Sequence, residues 1–336
     1  MHTLLVTGGA GFIGSHYVKY ALQHHANYRV ITLDKLTYAG NLANLAEVID
    51  NPRHEFIHGD IADAQLVDQL VPRVDAVINF AAESHVDRSI MGAGEFMDAN
   101  AMGVYVLLNA AKRHGVERFL QVSTDEVYGS LEPDEAPWTE NSPLAPRNPY
   151  AVSKAAGDMM ARAFFITHGV PTLITRAANN VGPNQYPEKR VPLFITNAID
   201  DLPIPVYGKG TAVRDHLYVT DHCAAIDLVL HEGEPGEAYN VGADNDADGQ
   251  LLTENILSQL DKPLALIEYV TDRPGHDMRY ALNSSKLKAL GWSPQHDLQR
   301  CLEETVEWYV TGESWWRPLK QSGDFQSYYA RQYANR

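Results

Sequence analysis

An α/β fold built on a doubly wound parallel sheet is predicted by three features of this 336-residue chain. Apolar, β-branched runs recur along its first half, separated by helix-compatible segments, as is typical of parallel strands covered by helices. A glycine-rich turn, Gly8-Gly9-Ala10-Gly11-Phe12-Ile13-Gly14, follows the first run, and Asp34 ends the second. This order of strand, glycine turn, helix and acid is typical of a Rossmann-type sheet.

The apolar runs place the predicted strands in chain order. They are Thr3–Thr7, Arg29–Asp34, Glu55–His58, Ala76–Phe80, Arg118–Ser123 and Thr172–Arg176. Beyond residue 176 the chain changes to segments punctuated by proline and glycine, which indicates a second, less regular region. We expect the strand-like run at residues 238–242 to return to the first sheet, so that the two regions interleave.

The predicted domains follow from this organisation. Residues 1–178 and about 211–243 form the Rossmann domain, and about 179–210 and 244–325 form a smaller interleaved α/β domain. The aromatic, polar end of the chain is either a packed arm or partly disordered, and residues 326–336 are assigned to a terminal tail.

Composition excludes several classes of function. The formal net charge is −16 and no run of lysine or arginine occurs, so we expect no nucleic-acid partner. The two cysteines, Cys223 and Cys301, are far apart and outside any CxxC spacing, which argues against a disulfide framework and against a metal site. No signal-peptide pattern and no apolar stretch of about eighteen residues occurs, so we expect a soluble, cytoplasmic protein without membrane contact.

The glycine turn and Asp34 predict the cofactor. Phosphate has to approach bare backbone amides at a helix N-terminus, where side chains at Gly8, Gly11 and Gly14 would obstruct it. A carboxylate at Asp34 suits a ribose 2′-hydroxyl and repels a 2′-phosphate, which favours NAD over NADP. The alternative is a tight turn that holds no ligand.

Tyr150 and Lys154 are candidates for alcohol oxidation. They lie four residues apart in a segment that begins with Pro149 and continues in good helix formers, so they share one helical face. A neighbouring ammonium favours the phenolate and so makes the tyrosine a better base for a hydroxyl proton. The same spacing is also common on ordinary surface helices.

Thr124, Asp125 and Glu126 follow the fifth predicted strand, at the sheet edge where open α/β folds bind ligands. Two adjacent carboxyl groups in a partly desolvated site separate in pKa, which leaves one as an acid and one as a base, the two roles that elimination of water needs. Consecutive strand residues point to opposite faces, so both acids serve one site only if the backbone leaves strand geometry here. Otherwise the acids cap the next helix or face water.

Runs along nearly the whole chain resemble the extended short-chain dehydrogenase/reductase family, and within it the dTDP-glucose 4,6-dehydratases. They include TGGAGFIG at 7–14, DKLTYAGN at 34–41, NFAAESHVDRS at 79–89, STDEVYG at 123–129, PEK at 187–189, PVYG at 205–208 and RPGHD at 273–277, besides Tyr150 and Lys154. The Thr-Asp-Glu run is the most specific part, because epimerases of this superfamily usually carry small or hydroxylated residues there.

The resemblance implies a set of site residues. Cofactor contacts are expected from Gly8, Gly11, Phe12, Ile13, Gly14, Asp34, Lys35, Thr37, Asp60, Ile61, Ala81, Ala82, Tyr150 and Lys154. Substrate contacts are expected from Ser84, Arg88, Thr124, Asn179, Glu188, Lys189, Arg214, Arg273 and Tyr280, with the smaller domain binding a nucleotide-diphosphate sugar. A homodimer is implied as well, and the apolar Met159, Met160, Phe164 and Phe165 are compatible with such packing or with burial in their own domain.

The implied reaction is that of a lyase, which converts dTDP-glucose to dTDP-4-keto-6-deoxyglucose and water. In this hypothesis Tyr150 takes the 4-hydroxyl proton while the C4 hydride passes to NAD, with Thr124 and Lys154 in support. Glu126 then removes the C5 proton, Asp125 protonates the departing 6-hydroxyl, and hydride returns to C6, which regenerates NAD in each turnover.

Departures from the family pattern leave alternatives open. His216 stands in place of a usual tryptophan, Val181 in place of a tyrosine, and Met278 in place of an arginine, so the base stays open between thymidine and uridine. A UDP-glucose 4,6-dehydratase is thus one alternative, and a nucleotide-sugar 4-epimerase or decarboxylase is another. The alternative outside enzymes is a nucleotide-responsive binding protein on the same fold.

Overall fold

The computed structural model describes residues 2–333, which form one seven-stranded sheet and two smaller sheets. The strands are β1 (Thr3–Thr7), β2 (Arg29–Asp34), β3 (His54–His58), β4 (Ala76–Asn79), β5 (Arg118–Thr124), β6 (Thr172–Ala177), β7 (Asn179–Val181), β8 (Ile204–Tyr207), β9 (Arg214–Tyr218), β10 (Ala238–Val241), β11 (Asp246–Ala247) and β12 (Ile267–Val270). The helices are α1 (Phe12–His24), α2 (Ala64–Leu70), α3 (Val86–Met91), α4 (Gly94–Met97), α5 (Val104–His114), α6 (Pro149–His168), α7 (Arg190–Ile199), α8 (Val219–Glu232), α9 (Gly249–Gln259), α10 (Ser285–Ala289), α11 (Leu298–Thr311), α12 (Glu313–Gln321) and α13 (Gly323–Tyr333).

The large sheet is parallel throughout, in the order β10-β6-β5-β4-β1-β2-β3. Its central strands are buried along their whole length because helices cover both faces, and this explains their continuous apolar runs. The fold class predicted from the sequence is confirmed. Each of the first six predicted strands is present, with ends that differ from the prediction by one residue at most.

The strand order reverses at the centre of the sheet. The chain runs from β1 outward to β2 and β3 and then crosses to β4 on the other side of β1. Open α/β sheets bind ligands in the crevice outside the carboxyl ends of the strands at such a reversal. The run near residue 240 returns to this sheet as expected, since β10 pairs with β6 at the edge.

Two layers of helices enclose the sheet. On one face α1 packs against α8, with Tyr17, Val18 and Ile226 in a shared core. On the other face α2, α5 and α6 cover a second core that includes Val77 and Phe119. The sheet is therefore a rigid platform whose carboxyl edge alone is left to loops and helix ends.

The smaller region has its own sheets and its own core. Strand β9 pairs with β7 and β11, and β8 pairs with β12. A boundary near residue 211, as the sequence suggested, therefore disagrees with the strand pairing, because β9 belongs with the smaller sheet and the return to the large sheet begins at α8. A short strand is easily assigned to the wrong sheet, since its sequence does not reveal its partner. The rest of the division into two domains stays a prediction.

The chain end is folded as far as Tyr333. Trp316 is fully buried, and α13 contributes the buried Phe325 and Tyr328. This portion of the predicted tail packs as an arm, whereas residues 334–336 lie outside the described residues. Cys223 and Cys301 are both buried and neither forms a disulfide. Between residues 2 and 333, no helix combines the length and the apolar character that crossing a membrane requires.

Candidate active site

A cavity of about 970 Å³ opens at the carboxyl edge of the large sheet, on both sides of the strand reversal. All the residues predicted for the cofactor and all five predicted catalytic residues line it. Of the residues predicted for the substrate, those that line it are Ser84, Arg88, Thr124, Asn179 and Lys189. The remaining four, Glu188, Arg214, Arg273 and Tyr280, are absent from its wall.

The glycine turn brings β1 directly onto the start of α1. Gly8 has a φ of +68°, and a Cβ there would lie 2.6 Å from the Ala81 nitrogen, so only glycine fits. A Cβ on Gly14 would lie 2.3 Å from the Gly8 oxygen. Gly11 precedes α1 and supplies no side-chain cap, so the first amides of the helix remain open toward the cavity. Open amides at a helix N-terminus fit a dinucleotide pyrophosphate.

Asp34 lies at the end of β2 and holds the turn in place. Its two carboxylate oxygens accept hydrogen bonds from the amides of Ala10 and Leu36, at 2.9 and 2.8 Å. Burial raises the pKa of Asp34, and these amide bonds counteract it. Lys35 is paired with Asp60 at 2.7 Å, so its charge is already balanced. Asp34 therefore remains the dominant charge where a ribose would lie, as expected for NAD.

The acid pair leaves strand geometry at once. β5 ends at Thr124, and residues 125–128 form a single 3₁₀ turn that Thr124 caps by accepting a hydrogen bond from the Glu126 amide. Because the turn replaces the strand alternation, Asp125 and Glu126 both line the cavity. The backbone therefore leaves strand geometry here, as it must if both acids are to serve one site.

The two carboxyl groups have different electrostatic surroundings. Burial and then the charge of Glu126 raise the pKa of Asp125 well above its usual range, and Asp125 Oδ2 has no hydrogen-bond partner in the described chain. Burial also raises the pKa of Glu126, but the guanidinium of Arg273 and a hydrogen bond from Asn148 Nδ2 at 3.2 Å oppose that rise. Asp125 is thus the better proton donor and Glu126 the better base.

Tyr150 is fixed at the first turn of α6. Asn148 caps this helix by accepting from the Ala151 amide at 2.8 Å, and Pro149 occupies the first helical position, where its missing N–H costs nothing. The Tyr150 ring packs edge-on against Phe96. Burial and the charge of Glu126 raise the pKa of Tyr150, whereas a hydrogen bond with Thr124 lowers it.

Lys154 donates a hydrogen bond to the backbone of β5. Its Nζ donates to the Val122 carbonyl at 2.6 Å, and burial lowers its pKa to about 8. The ammonium still lines the cavity on the same helical face. Its support of Tyr150 stays a prediction.

Arg88 and Glu188 form a pair with each other. The Arg88 guanidinium donates to Glu188 at 2.9 Å and to Asp324 at 2.9 Å, and it lies between the rings of Tyr38 and Tyr328. Glu188 is buried and serves as the partner of Arg88, away from the cavity. The prediction that Glu188 contacts substrate is therefore not supported by its placement.

Arg214, Arg273 and Tyr280 lie behind the acid pair. The Arg214 guanidinium lies 3.9 Å from the centre of the Tyr280 ring, and it donates to the Asp277 carbonyl at 2.7 Å. Both arginines lower the pKa of Glu126, so their charges reach the site. Neither arginine is among the residues that line the cavity, so each acts on Glu126 through its charge.

Sequence reasoning missed several residues of the wall. They include Tyr38, Glu83, Tyr186 and His222, and from α13 they include Asp324, Tyr328 and Arg331. His222 is buried, its Nδ1 lies 2.9 Å from Asn180 Oδ1, and its Nε2 has no partner among residues 2–333. An aspartate-histidine pair opening a helix was the available signal for His222. For α13 there was none, since its position depends on long-range packing.

Known proteins with similar sequences cover almost the whole chain. The family model described as GDP-mannose 4,6 dehydratase matches residues 5–305. The low-salt glycan biosynthesis protein Agl12 of Haloferax volcanii is 50% identical, over 91% of this chain and 98% of its own. A dTDP-glucose 4,6-dehydratase of Streptomyces niveus is 49% identical, over 94% of this chain and 95% of its own.

Solved structures agree with the fold. The crystal structure of DesIV, a dTDP-glucose 4,6-dehydratase from Streptomyces venezuelae with NAD and TYD bound, matches with a TM-score of 0.92 and 49% identity. That match covers 95% of this chain and 100% of the solved chain.

Proposed function

This chain belongs to the GDP-mannose 4,6 dehydratase family, and on that basis we propose that it is an NAD-dependent nucleotide-sugar 4,6-dehydratase. It converts dTDP-glucose to dTDP-4-keto-6-deoxyglucose and water. One observation carries the proposal: Asp125 and Glu126, with divergent proton affinities, line the same cavity as Tyr150 and Lys154.

The wall of the cavity fits a nicotinamide dinucleotide. Gly11 and the open amides of α1 would hold the pyrophosphate, and Asp34 would accept a ribose hydroxyl. Bound there, NAD would supply the acceptor for the C4 hydride and the donor of that hydride to C6. Every other step falls to side chains of this chain.

Tyr150 begins the reaction by taking the 4-hydroxyl proton, so that loss of the C4 hydrogen leaves a ketone. The ketone acidifies the C5 hydrogen, which Glu126 removes. Asp125 gives its proton to the 6-hydroxyl, and the C6–O bond breaks to release water. When hydride returns to C6, Glu126 restores the proton to C5, which completes the 4-keto-6-deoxy sugar. The proton that Tyr150 took then has to pass to Asp125, which restores both side chains for the next turnover.

The acid pair is what favours a dehydratase over a 4-epimerase or a decarboxylase. An epimerase needs only the oxidation and its reversal on the other face, for which a tyrosine suffices. Elimination needs a carboxylic acid that can give a proton to the leaving hydroxyl, and burial together with the charge of Glu126 raises the pKa of Asp125, which favours its protonated form. A buried Asp125 oxygen that has no partner in the described part of the chain destabilises the fold, and a binding protein without activity has no catalytic use for it.

A homodimer is part of the proposal. Three apolar side chains of α6, Val152, Met159 and Ile166, are exposed at intervals of seven residues and so form one stripe. Met102, in the helical segment that leads into α5, and Tyr105, in α5 itself, are exposed as well, and α5 packs beside α6. Phe164 is buried in its own domain instead. We expect Met159→Glu to shift the protein to a monomer in light scattering, and an unchanged mass would contradict this.

The function is tested with labelled substrate. Purified protein is incubated separately with dTDP-glucose and UDP-glucose that carry deuterium at C4, and the products are identified by mass and NMR. We expect deuterium in the new methyl group of the dTDP product. Product from UDP-glucose alone would reassign the base, and inversion at C4 without a methyl group would indicate an epimerase.

A further inference from the structure

A buried polar network lies behind the candidate site and has no part in the reaction proposed so far. Its centre is Arg176 on β6, whose Nε donates to Asp158 Oδ2 at 2.9 Å. Its Nη1 donates to the Tyr128 hydroxyl at 2.8 Å, and that hydroxyl donates to Asn240 Oδ1 at 2.8 Å. All four residues are buried, and none of them lines the cavity.

The network joins the two elements that carry the chemistry. Asp158 lies one helical turn beyond Lys154 on α6, the helix that also holds Tyr150. Tyr128 is the last residue of the 3₁₀ turn that holds Asp125 and Glu126. Arg176 therefore links the oxidation pair to the elimination pair from behind, through one hydrogen bond to each element.

The charges of the network make this link stiff. Removing one partner of a buried ion pair strongly destabilises the folded protein, because the other charge is then buried without compensation. Arg176 can satisfy both Asp158 and Tyr128 only while α6 and the turn keep their separation. The Arg176 guanidinium also lies 5.0 Å from the centre of the Tyr128 ring, and that ring stacks on Trp138 at 5.3 Å.

The distance between the oxidation pair and the elimination pair matters for the proposed reaction. One sugar has to present C4 to Tyr150 and then C5 and C6 to the acid pair, with no exchange of ligand between the steps. A misplacement of about 1 Å between reacting groups can cost about a hundredfold in rate. The relative position of the two pairs thus decides how efficiently the ketone passes on to elimination.

We propose that Arg176 is a positioning residue, which acts through Asp158 and Tyr128 to hold the oxidation pair and the elimination pair at one fixed spacing. This inference rests on the proposed function. The Asp158 carboxylate also supports the charged form of Lys154, since it opposes the fall of the lysine pKa that burial causes.

The experiment compares Tyr128→Phe with the wild-type enzyme. The variant keeps the ring on Trp138 but removes the hydroxyl that joins Arg176 to the acid turn. Oxidation is followed in a single turnover by the absorbance of the reduced nicotinamide, and water loss is followed by release of the 6-oxygen from labelled dTDP-glucose. We expect the oxidation rate to change less than twofold and water loss to slow about tenfold, so that the reduced cofactor accumulates.

Two further variants complete the test. Arg176→Lys keeps a cation beside Asp158 but cannot reach both partners, so the same imbalance between the steps is expected. Tyr28→Phe is the matched control, because it removes a hydroxyl that lies 2.6 Å from His231 Nε2, away from the cavity wall; neither step should change.

Equal slowing of both steps in Tyr128→Phe and Arg176→Lys, or no effect on either step, would overturn the positioning role. Failure of the proposed function looks different, because the wild-type enzyme itself would then form no 4-keto-6-deoxy product.

Discussion

The two ends of the cavity are built in different ways. At the cofactor end the wall comes from short runs that directly follow β1, β2 and β3, so residues adjacent in sequence are adjacent in the site. At the sugar end the wall comes from loops, the start of α6 and the C-terminal α13. Local backbone rules thus determine the first end, and long-range packing determines the second.

The two ends also differ in their charge. At the cofactor end Lys35 is paired with Asp60, which leaves the carboxylate of Asp34 as the dominant charge. Around the sugar end Lys189, Arg190, Arg214 and Arg273 crowd together, and burial together with the two other arginines lowers the pKa of Arg190 to about 9. Arg190 donates to the neutral His216 at 3.0 Å. Of these four side chains Lys189 lines the cavity, and the other three raise the positive potential around it.

Replacing Tyr150 by phenylalanine is the strongest test of the sugar end. We expect turnover to fall by about a thousandfold, since the hydroxyl proton of the sugar then has no base. No reduced nicotinamide should form in a single turnover, while the affinity for NAD should stay near that of the wild type. Tyr105→Phe, on the exposed side of α5, is the control. Normal formation of reduced cofactor in Tyr150→Phe would contradict the assigned role.

Asp125→Asn divides the sugar end into its two steps. Oxidation should proceed, whereas water loss should slow by about a hundredfold because the amide cannot donate a proton to the leaving hydroxyl. Reduced nicotinamide and the 4-keto sugar should therefore accumulate, and mass spectrometry of the quenched mixture would detect the ketone. Unchanged turnover would exclude Asp125 as the acid.

Asp34→Ala perturbs the cofactor end alone. The Ala10 and Leu36 amides would lose their acceptor, so we expect the Kd for NAD to rise about tenfold and the free energy of unfolding to fall by about 2 kcal/mol. Asp63→Ala removes the cap of α2, outside the cavity wall, and should lower stability without affecting NAD affinity. Calorimetry measures both quantities. Equal NAD affinity in the two variants would contradict the assignment of Asp34 to the cofactor-binding end of the cavity.

The pH dependence of stability tests the burial of Lys154. Its folded pKa of about 8 lies below the unfolded value of 10.5, so the unfolded chain binds the proton more tightly. Stability should therefore rise as the pH increases through this window, by about 1 kcal/mol between pH 8 and 9 from this group. Lys154→Met should lack that increment in urea unfolding. If the free energy of unfolding changed with pH in the same way in both proteins, the burial of the Lys154 ammonium would be refuted.

Asp324→Asn should have the smallest effect. The Asp324 side chain is half exposed, and a surface ion pair contributes about 0.2–1 kcal/mol, so we expect the KM for dTDP-glucose to change about twofold or threefold. The kcat should stay constant. Glu188→Gln, which removes the buried negative partner of Arg88, should raise the KM further. A larger effect of Asp324→Asn would show that α13 holds Arg88 more firmly than Glu188 does.

Sequence reasoning predicted what depends on short stretches of chain. Gly8, Gly14 and Asp34 are where the backbone demands them, and Asp125 and Glu126 share a turn because Thr124 caps it. The ion pair of Glu188 with Arg88 could not be predicted, since the sequence around a charged loop residue does not reveal a partner about a hundred positions away. Arg214 and Arg273, which were predicted to contact substrate, are absent from the cavity wall and lower the pKa of Glu126 through their charges. The roles assigned to the individual site residues stay predictions.

The position of α13 matters to anyone who handles this protein. A version trimmed to residues 5–305, the span matched by the family model, would lack Asp324, Tyr328 and Arg331 and so would have a wider cavity mouth. Bulk added beside Arg331 would obstruct entry, because that residue lines the cavity. The N-terminal end leads into β1 at the opposite edge of the sheet, which makes it the safer place for a purification handle.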